Sequence, residues 1–98
     1  MTHNMTAQEL ILNIAVNLGR LSRWASEGKT SRIDQFLAET QEYLTELEKA
    51  SKNEQFMHTL DSFRNNFKKL KDNPKRDELW AEDALTWANI LTHRAKLA

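Results

Sequence analysis

Apolar residues recur along this 98-residue chain at alternating steps of three and four, in four runs separated by short breaks. That spacing keeps one face of a helix apolar and the rest polar. In the first run the seam is Ala7, Ile11, Ile14, Leu18, Leu21 and Ala25, with Leu10 and Trp24 widening one edge. The second seam is Ile33, Leu37, Thr40, Leu44 and Leu47, flanked by Phe36 and Tyr43. The third is Phe56, Leu60, Phe63, Phe67 and Leu70; the fourth is Trp80, Ala84, Trp87, Leu91, Ala95 and Ala98. Period-two alternation is absent, so the class is all-α. Matched helices of about 30 Å, at ~1.5 Å per residue, predict a four-helix up-down-up-down antiparallel bundle when the joins are this short. The expected core centres on Ile14, Leu18, Leu21, Phe36, Leu44, Phe63, Phe67, Trp87 and Leu91. Residues 1–98 read as one domain, with residues 1–5 frayed.

The breaks carry their own chemistry. Thr6 and Glu9 have the spacing of a capping box, and Met5 can staple onto Leu10. Gly28 suits the left-handed residue just past a helix end. Ser31 is the expected cap of the second helix, with Asp34 near its positive end. Ser51 and Glu54 are the expected box of the third. Asn73-Pro74 ends that helix, and the proline is expected in the first turn of the fourth. Thr40 occupies an apolar seam position, which predicts a bond from its hydroxyl to the Phe36 carbonyl.

Charge changes the picture by what it excludes. Lys and Arg total 14, as do Asp and Glu, so no overall field draws the chain to nucleic acid or an anionic membrane. Nucleic acid and membrane insertion are therefore not expected, and no uncharged apolar run approaches the ~18 residues of a spanning helix. Cysteine is absent, which removes disulfide and thiol chemistry. Met1-Thr2-His3-Asn4 lacks the basic start of a secretory leader. The expectation is a soluble, cytoplasmic protein.

Candidate chemistry is sparse. Glu54, His58 and Asp61 share one helix face, but that face points away from the Phe56/Leu60/Phe67 seam. The inward Glu-x-x-His pattern of bundle-core metal sites is missing, since Gln55 and Ile90 precede His58 and His93 by three. Histidine phosphotransfer domains are bundles of this size, but neither histidine begins their His-x-x-Lys-Gly motif. No nucleophile, base and orienting group come together, so neither catalysis, a metal, a cofactor nor a small-molecule substrate is expected.

Surfaces remain. Glu39, Glu42 and Glu46 line one flank of the second helix, and Arg64, Lys68 and Lys71 line one flank of the third. Ordinary packing would set these rows against each other, with Glu39 level with Arg64. A sharper alternative joins Arg64, Lys68, Lys71, Lys75 and Arg76 into a basic edge for an anion or nucleic acid. The fourth helix carries a second apolar stripe, Leu79, Ile90 and Leu97, about a quarter-turn from the first, and Leu85 on another side. On the first helix, Asn13, Asn17, Gly19 and Ser22 make a weakly charged outer face, with Val16 pointing away from the seam. A glycine inside a helix costs about 1 kcal/mol relative to alanine, which close approach by another helix would explain. The functional expectation is a small non-catalytic interaction module. It would self-associate or dock on a larger protein through Leu79, Ile90 and Leu97, with Val16 and Gly19 contributing.

Overall fold

In a computed structural model describing residues 5–98, the chain forms α1 (Ala7–Ser26), α2 (Ile33–Lys49), α3 (Glu54–Asp72) and α4 (Glu78–Arg94). A 3-10 turn at Ala95–Leu97 follows. Thr6 and Glu9 form the predicted capping box: each side chain takes the other's backbone N–H, at 3.1 and 2.9 Å. The fraying expected of residues 1–5 concerns four residues outside the described ones and Met5. Met5 packs against the core, and its sulfur accepts from the Asn13 amide at 3.6 Å. At the other end of α1, Gly28 has φ +72°. The Lys29 N–H reaches the Trp24 carbonyl at 2.8 Å and the Gly28 N–H that of Ala25 at 3.2 Å. These two bonds define a Schellman motif, and they need a left-handed residue at Gly28.

Three expected starts move. Arg32, not Ser31, precedes α2, and no side chain caps it. Asn53, not Ser51, caps α3, its Oδ1 accepting from the Gln55 N–H at 3.0 Å. Pro74 lies in the connection before α4, which Asp77 caps by accepting from the Trp80 N–H at 3.1 Å. In each case a polar side chain nearer the apolar run competes successfully for the orphan N–H groups, or none does. One capping device was not foreseen: Lys52 Nζ donates to the carbonyls of Leu47, Glu48 and Ala50, closing the C-terminal end of α2. A cation there also opposes the negative end of the helix dipole.

The bundle is antiparallel. Trp24 meets Phe36 edge-on at 4.9 Å across α1 and α2, and Ser26 bonds Glu78 across α1 and α4 at 2.9 Å. The four helices are not equally close. α1 packs most intimately on α4, then on α2, while α3 stands further off. Side-chain size explains this order. Ala15 and Ser22 share one α1 flank, Ala81 and Ala88 share one α4 flank, and all four are buried. Small residues let the two backbones approach until the Ser22 hydroxyl reaches the Ala81 carbonyl. α3 instead presents Phe56, Phe63 and Phe67, all fully buried. Phe63 stacks on Phe67 at 5.4 Å and tilts against Trp87 at 5.5 Å. Each such ring contributes about 1.5–3 kcal/mol on burial, so this layer holds α3 in place although it keeps α3 at a distance. Trp80 completes it by donating its indole N–H to the Leu70 carbonyl at 3.0 Å.

The expected core is buried except Phe36, which sits half-buried at the α1–α2 edge under Trp24, Arg20 and Arg32. Thr40 is fully buried and makes the predicted bond to the Phe36 carbonyl, at 2.7 Å. Asn17 and Ser22 depart from the outer face assigned to them. Both are buried, and the Asn17 side-chain nitrogen has no hydrogen-bond partner among the described residues.

Candidate functional site

The packing of α4 decides where its apolar residues go. Its Ala81/Ala88 flank turns to α1, and its opposite flank turns to α3. Leu79, 74% exposed, stands beside Lys69, Leu70, Asn73 and Lys75 in an open groove on the α3 side. Ile90 lies further along the same flank, half-buried against the core with His58, Thr59 and Ser62 near it. Leu97 falls in the 3-10 turn, where the α-helical register has ended, and is half-buried. Ile90 and Leu97 are thus half-buried, while Leu79 stands exposed beside α3. The structure does not bring this stripe together with Val16 and Gly19.

Those two meet Leu85 instead. Val16, Gly19, Arg23 and Ser26 of α1 and Leu85 of α4 line one outer groove. Val16 is 53% exposed and Leu85 48%. Leu12, one turn before Val16 and 43% exposed, extends the same α1 face. Gln8, Asn89 and Thr92 are exposed and uncharged there. Gly19 has open space above it, since a Cβ built at this position would meet nothing within 4 Å. Nothing inside the molecule requires that glycine. The sequence reading missed Leu12 and set Leu85 aside; both sit beside, rather than on, the helical seams.

The rim of this groove is charged in an ordered way. Arg20 and Arg23 line its α1 side at one end, with Glu78 opposite on α4 and, one turn on, Glu82, which also lines the groove beside Leu79. At the other end Glu9 flanks α1, and Lys96 follows α4. All are exposed, and none forms an ion pair among the described residues.

The basic edge of α3 is the reverse case. Arg64 binds both Glu48 and Asp61, and these hydrogen bonds raise its pKa further above its ordinary value. Lys68 pairs with Asp72 at 3.1 Å and Lys75 with Asp77 at 3.8 Å. Lys71 donates to Gln41 and stands 5.1 Å over the Phe67 ring. Arg76 reaches Asp34 at 3.2 Å while lying over Trp80. Every cation of that edge therefore has an internal partner.

The partners are not the expected ones. Asp34, Gln41 and Glu48, spaced by seven, form the α2 flank that meets α3 and the connection after it. Glu39 and Glu46 lie on the Phe36/Tyr43 flank, toward α1, and Arg64 is level with Glu48 rather than Glu39. Desolvation, helped by the Glu39, Glu46 and Glu42 carboxylates, raises the pKa of Tyr43 above its ordinary value. Among the described residues no three His, Asp or Glu side chains converge as a metal would require, and no helix is long and apolar enough to cross a membrane.

No protein-family model matches the chain, and neither a curated protein nor a solved structure matches it.

Proposed function

We propose that the protein is a small non-catalytic interaction module that docks through the outer face of α1 and α4, centred on Val16, Gly19 and Leu85. The observation that carries this reading is that exposed Val16 and Leu85 meet in one groove within a charged rim, with exposed Leu12 one turn further along the same α1 face. Scattered exposed leucines are ordinary, whereas apolar residues gathered within a polar rim mark a contact surface. Gly19 supports the reading, because its cost to helix stability has no return inside the bundle. Helix four keeps its expected role, but its contribution passes from Leu79 and Ile90 to Leu85. Anion binding at α3 has less support, because the cations it would use are held by internal acids, Gln41 and aromatic rings.

A photo-crosslinking residue placed at Val16 or Leu85 in living cells tests the reading. An adduct of defined mass at these positions, but not at the exposed Glu42 of α2, is the expected result. Equal labelling at Glu42, or no adduct at either groove position, would contradict it.

A further inference from the structure

We propose that the occupant of this groove is a second copy of the chain, related by a twofold axis parallel to the helices, so that α1 of each copy lies on α4 of the other. The inference rests on the docking reading above and adds the identity and pose of the partner. Its warrant is the order of the rim charges. Glu27 also lines the arginine end but is held by Lys29 at 3.4 Å. The signs of the remaining charges alternate by quadrant, with basic Arg20 and Arg23 facing acidic Glu78 and Glu82, and acidic Glu9 facing basic Lys96. A twofold axis parallel to the helices exchanges the two sides at constant height. It therefore sets the Arg23 end of one copy against the Glu78/Glu82 end of the other, twice, and Glu9 against Lys96, twice. Such self-complementarity is what an isologous interface requires.

The apolar centre fits the same pose. The Ser22–Ala81 and Ser26–Glu78 bonds fix which residues are level across the groove. By that register Gly19 lies level with Leu85. The rotation seats Leu85 of each copy over Gly19 of the other, where the space for a Cβ is open. A twofold axis across the helices also opposes unlike charges, but it directs both arginines at Glu9. In that pose Leu85 would meet no glycine. The face is about 25 Å long and about 20 Å wide, which gives about 1,000 Å² buried in total, the lower bound for a specific interface. The expected dimer is accordingly a reversible one.

Sedimentation equilibrium on the untagged protein and three variants tests this: Arg23→Glu, Glu82→Arg and the double exchange. All change exposed residues without an ion pair, and far-UV circular dichroism checks that each remains helical. The expected result is a wild-type dimer, at least about tenfold weaker with either single reversal and restored by the double. A dimer indifferent to the single reversals, or not restored by the double, overturns the pose. A wild-type monomer up to about millimolar concentration overturns the second copy as occupant; if Val16 still crosslinks to a foreign protein in cells, the docking reading survives it. A dimer that persists unchanged in Val16→Asp and in Leu85→Asp overturns both.

Discussion

The Ser22 hydroxyl donates to the Ala81 carbonyl at 2.7 Å, in the buried contact where α1 and α4 come closest. A small side chain at residue 22 is what allows that approach. Ser22→Ala removes one bond and is expected to lower stability by about 0.5–1.5 kcal/mol. Ser22→Leu must push the helices apart and is expected to cost about 1–3 kcal/mol or more. Urea unfolding of both variants checks the order; equal effects would show that the bond, not the spacing, dominates.

The two glycines are expected to respond with opposite signs. Gly19 is helical with open space above it, so Gly19→Ala should stabilise the isolated fold by up to about 1 kcal/mol. Gly28 also has open space, but its φ of +72° is left-handed, so Gly28→Ala should destabilise by about 1–2 kcal/mol. Thermal melts at low concentration, where association does not contribute, read both. A destabilising Gly19→Ala would mean that residue 19 already packs inside the fold.

Asn17 holds a side-chain nitrogen without a partner, 3% exposed, on the α2-facing flank of α1. A buried donor left unmatched costs about 1–3 kcal/mol. Asn17→Leu, of similar size, is expected to raise the melting temperature. A lower one would reveal a partner for the amide, such as an ordered water.

Much of this fold could be read from spacing, and the misread flanks share one cause. The seams, the Thr6 box, the Gly28 terminus and the Thr40 back-bond are local: each depends on residues within one turn, and periodicity reports them. Which neighbour covers each flank of a helix is not local. A bundle with the same seams can turn in either sense, and the sense decides whether Glu39 or Glu48 meets α3. It decides equally whether Leu79 and Ile90 or Leu85 face the α1 groove. Reading the flanks the other way sent Glu39 to Arg64. Asn17 and Ser22 were misplaced because small polar residues look like surface, although one lies at a close helix contact and the other on a half-polar flank.

Tyr43 offers a pH-dependent check, and it is the single tyrosine of the chain. Burial, then the neighbouring glutamates, raise its pKa above 10.0 in the folded state. With the folded value above the unfolded one, its contribution to stability is full below about pH 10 and is lost as pH rises through the folded value. Tyrosinate absorbance should therefore appear later in the folded protein than in the urea-unfolded one, and Glu39→Gln should bring the folded midpoint down. Coincident folded and unfolded titrations would contradict the placement of Tyr43.

Trp80 ties the end of α3 to the start of α4 through its indole N–H and the Leu70 carbonyl. Trp80→Phe preserves an aromatic ring but leaves that carbonyl unmatched, with an expected loss of about 1–3 kcal/mol. Denaturant unfolding followed by circular dichroism measures it. A neutral substitution would show that the α3–α4 junction rests on packing alone.

The account turns on the outer face of α1 and α4, and amide chemical shifts followed through a dilution series address that face residue by residue. The predicted result is concentration-dependent shifts confined to the stretch around Glu9–Arg23 and the stretch around Glu78–Lys96, with α2 and the basic edge of α3 unmoved. Shifts that map to α2 or α3, or spectra unchanged at every concentration, would contradict a second copy bound at Gly19 and Leu85.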